Sequence, residues 1–201
     1  QALHDTEDMR PFTAWFVPGK RVPQLSGERV LPHHTLRLSF LTDQVFAAFM
    51  HAALVWGNRP LSIGDTLLTV SEVHVVDTGQ PVPTSRSYAE IAAEAAAAPV
   101  VSLRFVSPTT FRLRGRRNIV FPEPALVFGS LLARWNRFAP SPLEQEQLRV
   151  AIESSCAVTR YRLETVVINF GSYRETGCVG DVSYDLGTLP EAELRAANAL
   201  A

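Results

Sequence analysis

The chain has 201 residues, 46% hydrophobic and 19% charged, with a formal net charge of −1. That is a globular composition, long enough for a core in one or two small domains, and it excludes fibre and wholesale disorder. No stretch approaches the roughly 20 apolar residues of a membrane helix, and the first residues lack the basic-then-apolar pattern of a secretion signal, so a cytoplasmic chain with no membrane partner is expected. Two cysteines, Cys156 and Cys178, are too few for a disulfide framework or a cysteine-rich zinc site and read as buried apolar thiols. The charge is unevenly spread. Residues 1–94 hold seven Lys+Arg against ten Asp+Glu, whereas 95–122 hold Arg104, Arg112, Arg114, Arg116 and Arg117 and no acid.

In chain order, Leu36, Leu38 and Phe40 alternate with Arg37 and Ser39, which predicts a half-buried strand over 35–41. Thr42 then caps a helix with Val45, Phe46, Phe49, Met50, Ala53 and Leu54 on one face, ended by Gly57-Asn58. The β-branched run from Leu61 to Val76, broken at Gly64-Asp65, reads as a short strand turning into a longer one. Gly79, Pro81 and Pro83 mark a linker, so the expected organisation is a first domain over 1–80, a connector over 81–98 and a second domain over 99–201.

The second domain opens with Val101, Leu103 and Phe105 alternating with Ser102 and Arg104 in a strand. Phe121-Pro122-Glu123-Pro124 starts a helix with an apolar stripe of Phe128, Leu131, Leu132, Trp135 and Phe138. Ser141-Pro142-Leu143-Glu144 has capping-box spacing and predicts a second helix reaching about Ile152. Two long strands, 156–170 and 177–186, form a hairpin around 171–176, and a last helical pattern runs from Pro190. Helices and strands mix without βαβ regularity, and the two halves are alike in order, which points to two α+β sandwiches in tandem.

Fixed-spacing motifs for phosphate loops, dinucleotide folds, zinc peptidases and serine hydrolases do not occur in the sequence. Among the histidines, His51 on the first helix and His74 in a valine-rich strand read as structural. His4 differs in context, preceding an acidic loop with Arg10 six residues later.

Leu3-His4-Asp5 through Arg10-Pro11-Phe12-Thr13 resembles a segment of the CRISPR-associated endoribonucleases that cut repeat RNA into guide units, the Cas6 type of the RAMP superfamily. Leu103-Arg104-Phe105-Val106-Ser107-Pro108-Thr109-Thr110-Phe111-Arg112 is similar to the strand that opens that family's second domain. Phe121-Pro122-Glu123-Pro124 leading to Leu131, Arg134, Trp135 and Asn136, and then Gly177-Cys178-Val179-Gly180-Asp181-Val182-Ser183-Tyr184, follow in the family's order.

The resemblance implies tandem ferredoxin-like (RRM-like) domains, with antiparallel sheets and helices on one face, and cleavage of repeat RNA that needs no metal or other cofactor. It also implies a strand and helix before His4, with an assisting tyrosine, and a glycine-rich loop after the last helix. Against that pattern the sequence reads as trimmed at both ends or as a degenerate copy.

The chemistry fits a pair of His4 and Arg10. Metal-free cleavage uses the ribose 2′-hydroxyl as nucleophile, so a group must move protons and another must balance the charge growing on phosphorus. Imidazole titrates in the neutral range and can do the first; a guanidinium reaches phosphate oxygens in bidentate fashion and can do the second. Arg104, Arg112, Arg114, Arg116 and Arg117, with Arg134 and Arg137 on the following helix, are the expected RNA contacts, the run 112–117 reading as a basic loop bent at Gly115. A non-catalytic RAMP subunit holding guide RNA in an effector complex is the alternative. Expected partners are repeat RNA, proteins of an effector complex and a second copy of the chain.

Overall fold

The structure is a computed structural model that describes residues 9–17, 34–57, 59–63, 66–75, 85–112, 118–169 and 171–201. It divides into two units, Gln1–Thr84 and Ser85–Ala201.

In the first unit β1 (Phe12–Val17) pairs antiparallel with β2 (Thr35–Phe40), in a register that sets Ala14 opposite Leu38. Helix α1 (Asp43–Trp56) begins where expected, with the Thr42 hydroxyl accepting from the Val45 amide at 3.4 Å, and Gly57 ends it at φ 60°. Its apolar stripe is less covered than the sequence suggests. No residue of α1 is buried; Phe46 and Phe49 reach the Phe40 ring of β2, at centroid distances of 5.7 and 5.0 Å, but Leu54 stays 80% exposed. The run from Leu61 also departs from expectation, since β3 (Leu61–Ile63) and β4 (Thr66–Leu68) are equal short strands and Val70, Val73 and Val75 lie beyond them, exposed. Alternation alone cannot make a strand where no neighbour takes its backbone bonds. His74 therefore sits in no strand; it is exposed and meets Glu72 at 2.9 Å.

The second unit is built on a three-stranded antiparallel sheet in the order β5 (Val100–Thr109), β9 (Arg174–Asp185), β8 (Ala157–Asn169). Val101, Leu103, Val182, Tyr184, Val158 and Leu163 point to one face, where α3 (Pro124–Phe138), α4 (Gln145–Ser155) and α5 (Glu191–Leu200) cover them. The core joins Val127, Phe128, Leu132 and Trp135 of α3 to Leu148 and Ile152 of α4 and Ala197 and Leu200 of α5. Burying each such side chain is worth roughly 1.5–3 kcal/mol, which is why the layer forms on this face. Helix α2 (Tyr88–Glu94), held by a capping box between Ser87 and Glu90, adds Tyr88 and Ile91 to the same core. Tandem ferredoxin-like architecture, with helices on one face of an antiparallel sheet, is the fold class of the chain.

Two polar anchors shape this layer. The Tyr184 hydroxyl, deep in the core, donates to the Pro122 carbonyl at 2.8 Å, fixing the turn that precedes α3. The Asn136 side chain accepts from the Leu143 amide at 2.8 Å and donates to the Leu143 carbonyl at 3.0 Å, while Trp135 Nε1 donates to the Ser141 carbonyl. Those bonds hold 141–143 as a loop, so the expected capping box at Ser141 does not form and α4 starts later, at Gln145, with Glu144 before it and no side-chain cap.

In β9, Gly180 takes φ 128° and faces the Arg162 carbonyl, and a Cβ there would overlap that oxygen; at Gly177 a Cβ would lie 2.8 Å from the Pro108 carbonyl carbon and the Thr109 amide. Gly180→Ala should therefore destabilise the chain by more than about 1 kcal/mol, since alanine is strained at that φ and the β8–β9 pairing must open to admit it. A denaturant midpoint equal to that of the native chain would contradict this reading.

Candidate RNA-binding surface

Antiparallel pairing puts opposite residues on one face, so the face of the sheet away from the helices is set by register. Two cross-strand rows result: Ser102, Ser183 and Arg160, and then Arg104, Asp181 and Arg162. The Ser102 and Ser183 hydroxyls share a hydrogen bond of 2.8 Å, and Arg104 Nε donates to Asp181 Oδ1 at 2.6 Å. Arg104, expected as an RNA contact, is thus an exposed side chain already paired with a carboxylate. Arg160 and Arg162 stand on the same exposed face. They were not among the expected contacts, although their odd-even placement in the 157–169 strand was the available signal.

Arg112 lies at the base of a small hairpin. Strand β6 (Phe111–Arg112) pairs with β7 (Asn118–Ile119), and the segment between them carries Arg114, Arg116 and Arg117, which lie outside the described residues. Phe111 packs edge-on against Phe105 at 6.4 Å, and the Thr110 hydroxyl donates to the Ile119 carbonyl at 3.3 Å. Arg112 donates from Nε to Asn118 Oδ1 and from Nη2 to Glu175 Oε1, both at 3.3 Å. Between this hairpin and α3 runs an open groove of about 340 Å³, lined by Thr110, Phe111 and Arg112 on one side and Ala125, Leu126, Gly129 and Ser130 on the other.

Helix α3 contains no acidic residue between Pro124 and Phe138. With Phe128, Leu132 and Trp135 turned to the core, Ser130 and Arg137 fall on the opposite side and Gly129 on one flank, and Arg137 is exposed. Arg134, on the flank, lies near Tyr88, whose phenol is pushed up by burial and partly drawn back by that guanidinium. The second unit thus gathers Arg112 beside the α3 groove, while Arg104 belongs to the sheet's far face.

In the first unit Arg10 is exposed just before β1, where the neighbouring Pro11 carbonyl accepts from the Leu41 amide at 2.8 Å and fixes the start of the strand. His4 lies outside the described residues. Among the described residues no group of three or more His, Cys, Asp or Glu side chains gathers as a metal site would, and no helix is long and apolar enough to cross a membrane.

The profile of the family described as CRISPR-associated endoribonuclease Cas6 matches residues 103–200. Among solved structures, the product complex of Cas6 (TTHB231), a Thermus thermophilus protein, superposes with a TM-score of 0.81 at 29% identity, over 99% of this chain and 76% of that one. The product complex of Cas6 (TTHA0078) follows with a TM-score of 0.74 at 25% identity, over 98% of this chain and 75% of that one. The chain is similar to Cas6 proteins, in profile over residues 103–200 and in fold over nearly its whole length. Comparison with curated protein sequences returns no match. The Cas6 profile runs from Leu103 through Leu200 and so takes in the strand with Ser107-Pro108-Thr109, the hairpin, the α3 groove and the glycine-bearing strand β9. Two of the motifs are spatial neighbours, since Thr109 pairs with Cys178 in the β5–β9 ladder.

The thiols of the second unit are poor nucleophiles. Burial, with the Asp185 carboxylate adding to it, pushes Cys156 up to about 11, and burial raises Cys178 too. Only the thiolate reacts, so alkylation of Cys156 by iodoacetamide should climb about tenfold per pH unit between pH 7 and pH 9 and show no plateau in that range. A plateau by pH 9, read by mass spectrometry of the modified peptide, would contradict the assigned environment.

Proposed function

We propose that this chain is a Cas6-type endoribonuclease that cuts CRISPR repeat RNA by attack of a ribose 2′-hydroxyl on the adjacent phosphate. The 2′-oxygen forms a bond to phosphorus as the bond to the 5′-oxygen breaks, the 2′-proton leaves and a proton is delivered to the 5′-oxygen. The products are a 2′,3′-cyclic phosphate and a 5′-hydroxyl, and the proton balance is zero. His4 serves as the general acid/base of this step and Arg10 stabilises the charge on the phosphate oxygens. No metal takes part in this scheme.

The observation that carries the reading is the likeness, over nearly the whole chain, to Cas6 held with its product. The residue types support the chemistry: imidazole for proton transfer near neutral pH, guanidinium for phosphate. RNA is held by Arg112, Arg114, Arg116 and Arg117 at the hairpin, with Arg104, Arg134 and Arg137 further along the second unit. The proposed setting is the cytoplasm, with an effector complex or a second copy of the chain as further partners, and the proposed organisation is a first domain over 1–80 and a second over 99–201 joined through 81–98.

Changing Arg114, Arg116 and Arg117 together to alanine should weaken binding of a repeat RNA and lower the salt slope by up to about three phosphate contacts, with an unchanged circular dichroism spectrum. An unaltered affinity and slope would assign these side chains to solubility.

Cleavage should proceed in excess EDTA and stop when the nucleotide 5′ of the cut carries 2′-deoxyribose, with binding preserved. His4→Ala should lower the single-turnover rate by about 10²-fold or more at preserved affinity, and Arg10→Ala by less, because proton transfer acts on the transition state. A requirement for Mg²⁺, or cleavage of the 2′-deoxy substrate, overturns the mechanism; binding without any cleavage favours a non-catalytic RNA-holding subunit.

A further inference from the structure

A hairpin of two residues per strand cannot hold itself, since even longer isolated two-stranded ribbons are marginal in water. The β6–β7 hairpin is that short. Its base is nevertheless tied to the main sheet by a closed set of three hydrogen bonds. Arg112 Nε donates to Asn118 Oδ1 across the hairpin, Arg112 Nη2 donates to Glu175 Oε1, and Asn118 Nδ2 donates to Glu175 Oε2. One carboxylate, reaching from the start of β9, therefore grips both strands of the hairpin. Glu175 keeps only 24% of its side-chain surface exposed, against 66% for Arg112. The guanidinium spends two of its five N–H groups on these bonds, which leaves donors that face outward.

We propose that Glu175 is a positioning residue for RNA binding: by clamping Arg112 to Asn118 it holds the Arg112 guanidinium at the edge of the α3 groove, with its remaining donors available to phosphate. This rests on the RNA-binding reading given above and extends it to a residue of the wrong charge. An acid beside a polyanion site opposes binding by its charge and favours it by its geometry, so the two roles have opposite signs. Glu175→Gln removes the charge and keeps one carbonyl oxygen, whose two lone pairs can accept from Arg112 Nη2 and Asn118 Nδ2. Glu175→Ala removes charge and clamp together.

The experiment uses the full chain with a fluorescent GC-rich RNA stem-loop, titrated across a salt series, and in parallel a timed digestion of the RNA-free chain with trypsin, the cuts mapped by mass spectrometry. Glu175→Ala should bind about tenfold more weakly, while Glu175→Gln binds within about twofold of the native chain or tighter. Cuts after Arg112 should come at least about threefold faster in Glu175→Ala than in the native chain or in Glu175→Gln, with the thermal midpoint within a few degrees. Affinity in Glu175→Ala equal to or above the native value, equal weakening in both variants, or unchanged digestion would overturn the proposal. If the native chain fails to bind the RNA, the RNA-binding reading falls, and the digestion still decides whether Glu175 holds Arg112.

Discussion

The close approach of β9 to its neighbours is the constraint on which the second unit depends. β9 is the middle strand, bonded on one side to β5 and on the other to β8. It can lie there because two of its residues have no side chain: Gly180 passes against the Arg162 carbonyl and Gly177 against the Pro108–Thr109 peptide. A strand squeezed from both sides fixes the register on both sides. That register in turn decides which residues enter the core beneath the helices and which stand on the far face, including the row of Arg104, Asp181 and Arg162.

From the same strand, two side chains reach out to elements that the sheet alone would not control. Tyr184 points into the helical layer and takes hold of the Pro122 carbonyl, so the approach to α3 is set from the sheet. Nine residues earlier in β9, on the hairpin side, Glu175 does the corresponding thing for β6 and β7. The α3 groove lies between the two elements so anchored, and its width is a property of β9 as much as of the residues that line it.

Much of this was legible in the sequence. Alternation at Val101, Leu103 and Phe105 gave the inward face of β5; the Pro124 start and the apolar spacing of Phe128, Leu132 and Trp135 gave α3 and its buried side. These signals are local, and packing agrees with them. Where expectation and structure part, a longer-range bond decides. Ser141 has the right spacing for a cap, yet Asn136 and Trp135 occupy the backbone around it. The valines after Leu68 have strand propensity and no partner strand among the described residues. Leu54 has helical spacing and little against it. The arginines themselves were visible in the composition, but their company was not: that Arg104 faces Asp181 and Arg112 faces Glu175 depends on contacts 77 and 63 residues apart.

The bracket that Asn136 places on Leu143 has a further consequence. A side-chain amide there imitates a length of backbone, offering one donor and one acceptor to a single residue and so standing in for the strand neighbour that Leu143 lacks. Only a primary amide of that reach can do both. Hydrolysis of the amide to a carboxylate would keep the bond from the Leu143 nitrogen but set an anionic oxygen against the Leu143 carbonyl, so chemical ageing at one surface-near side chain would loosen the corner between α3 and α4 from within.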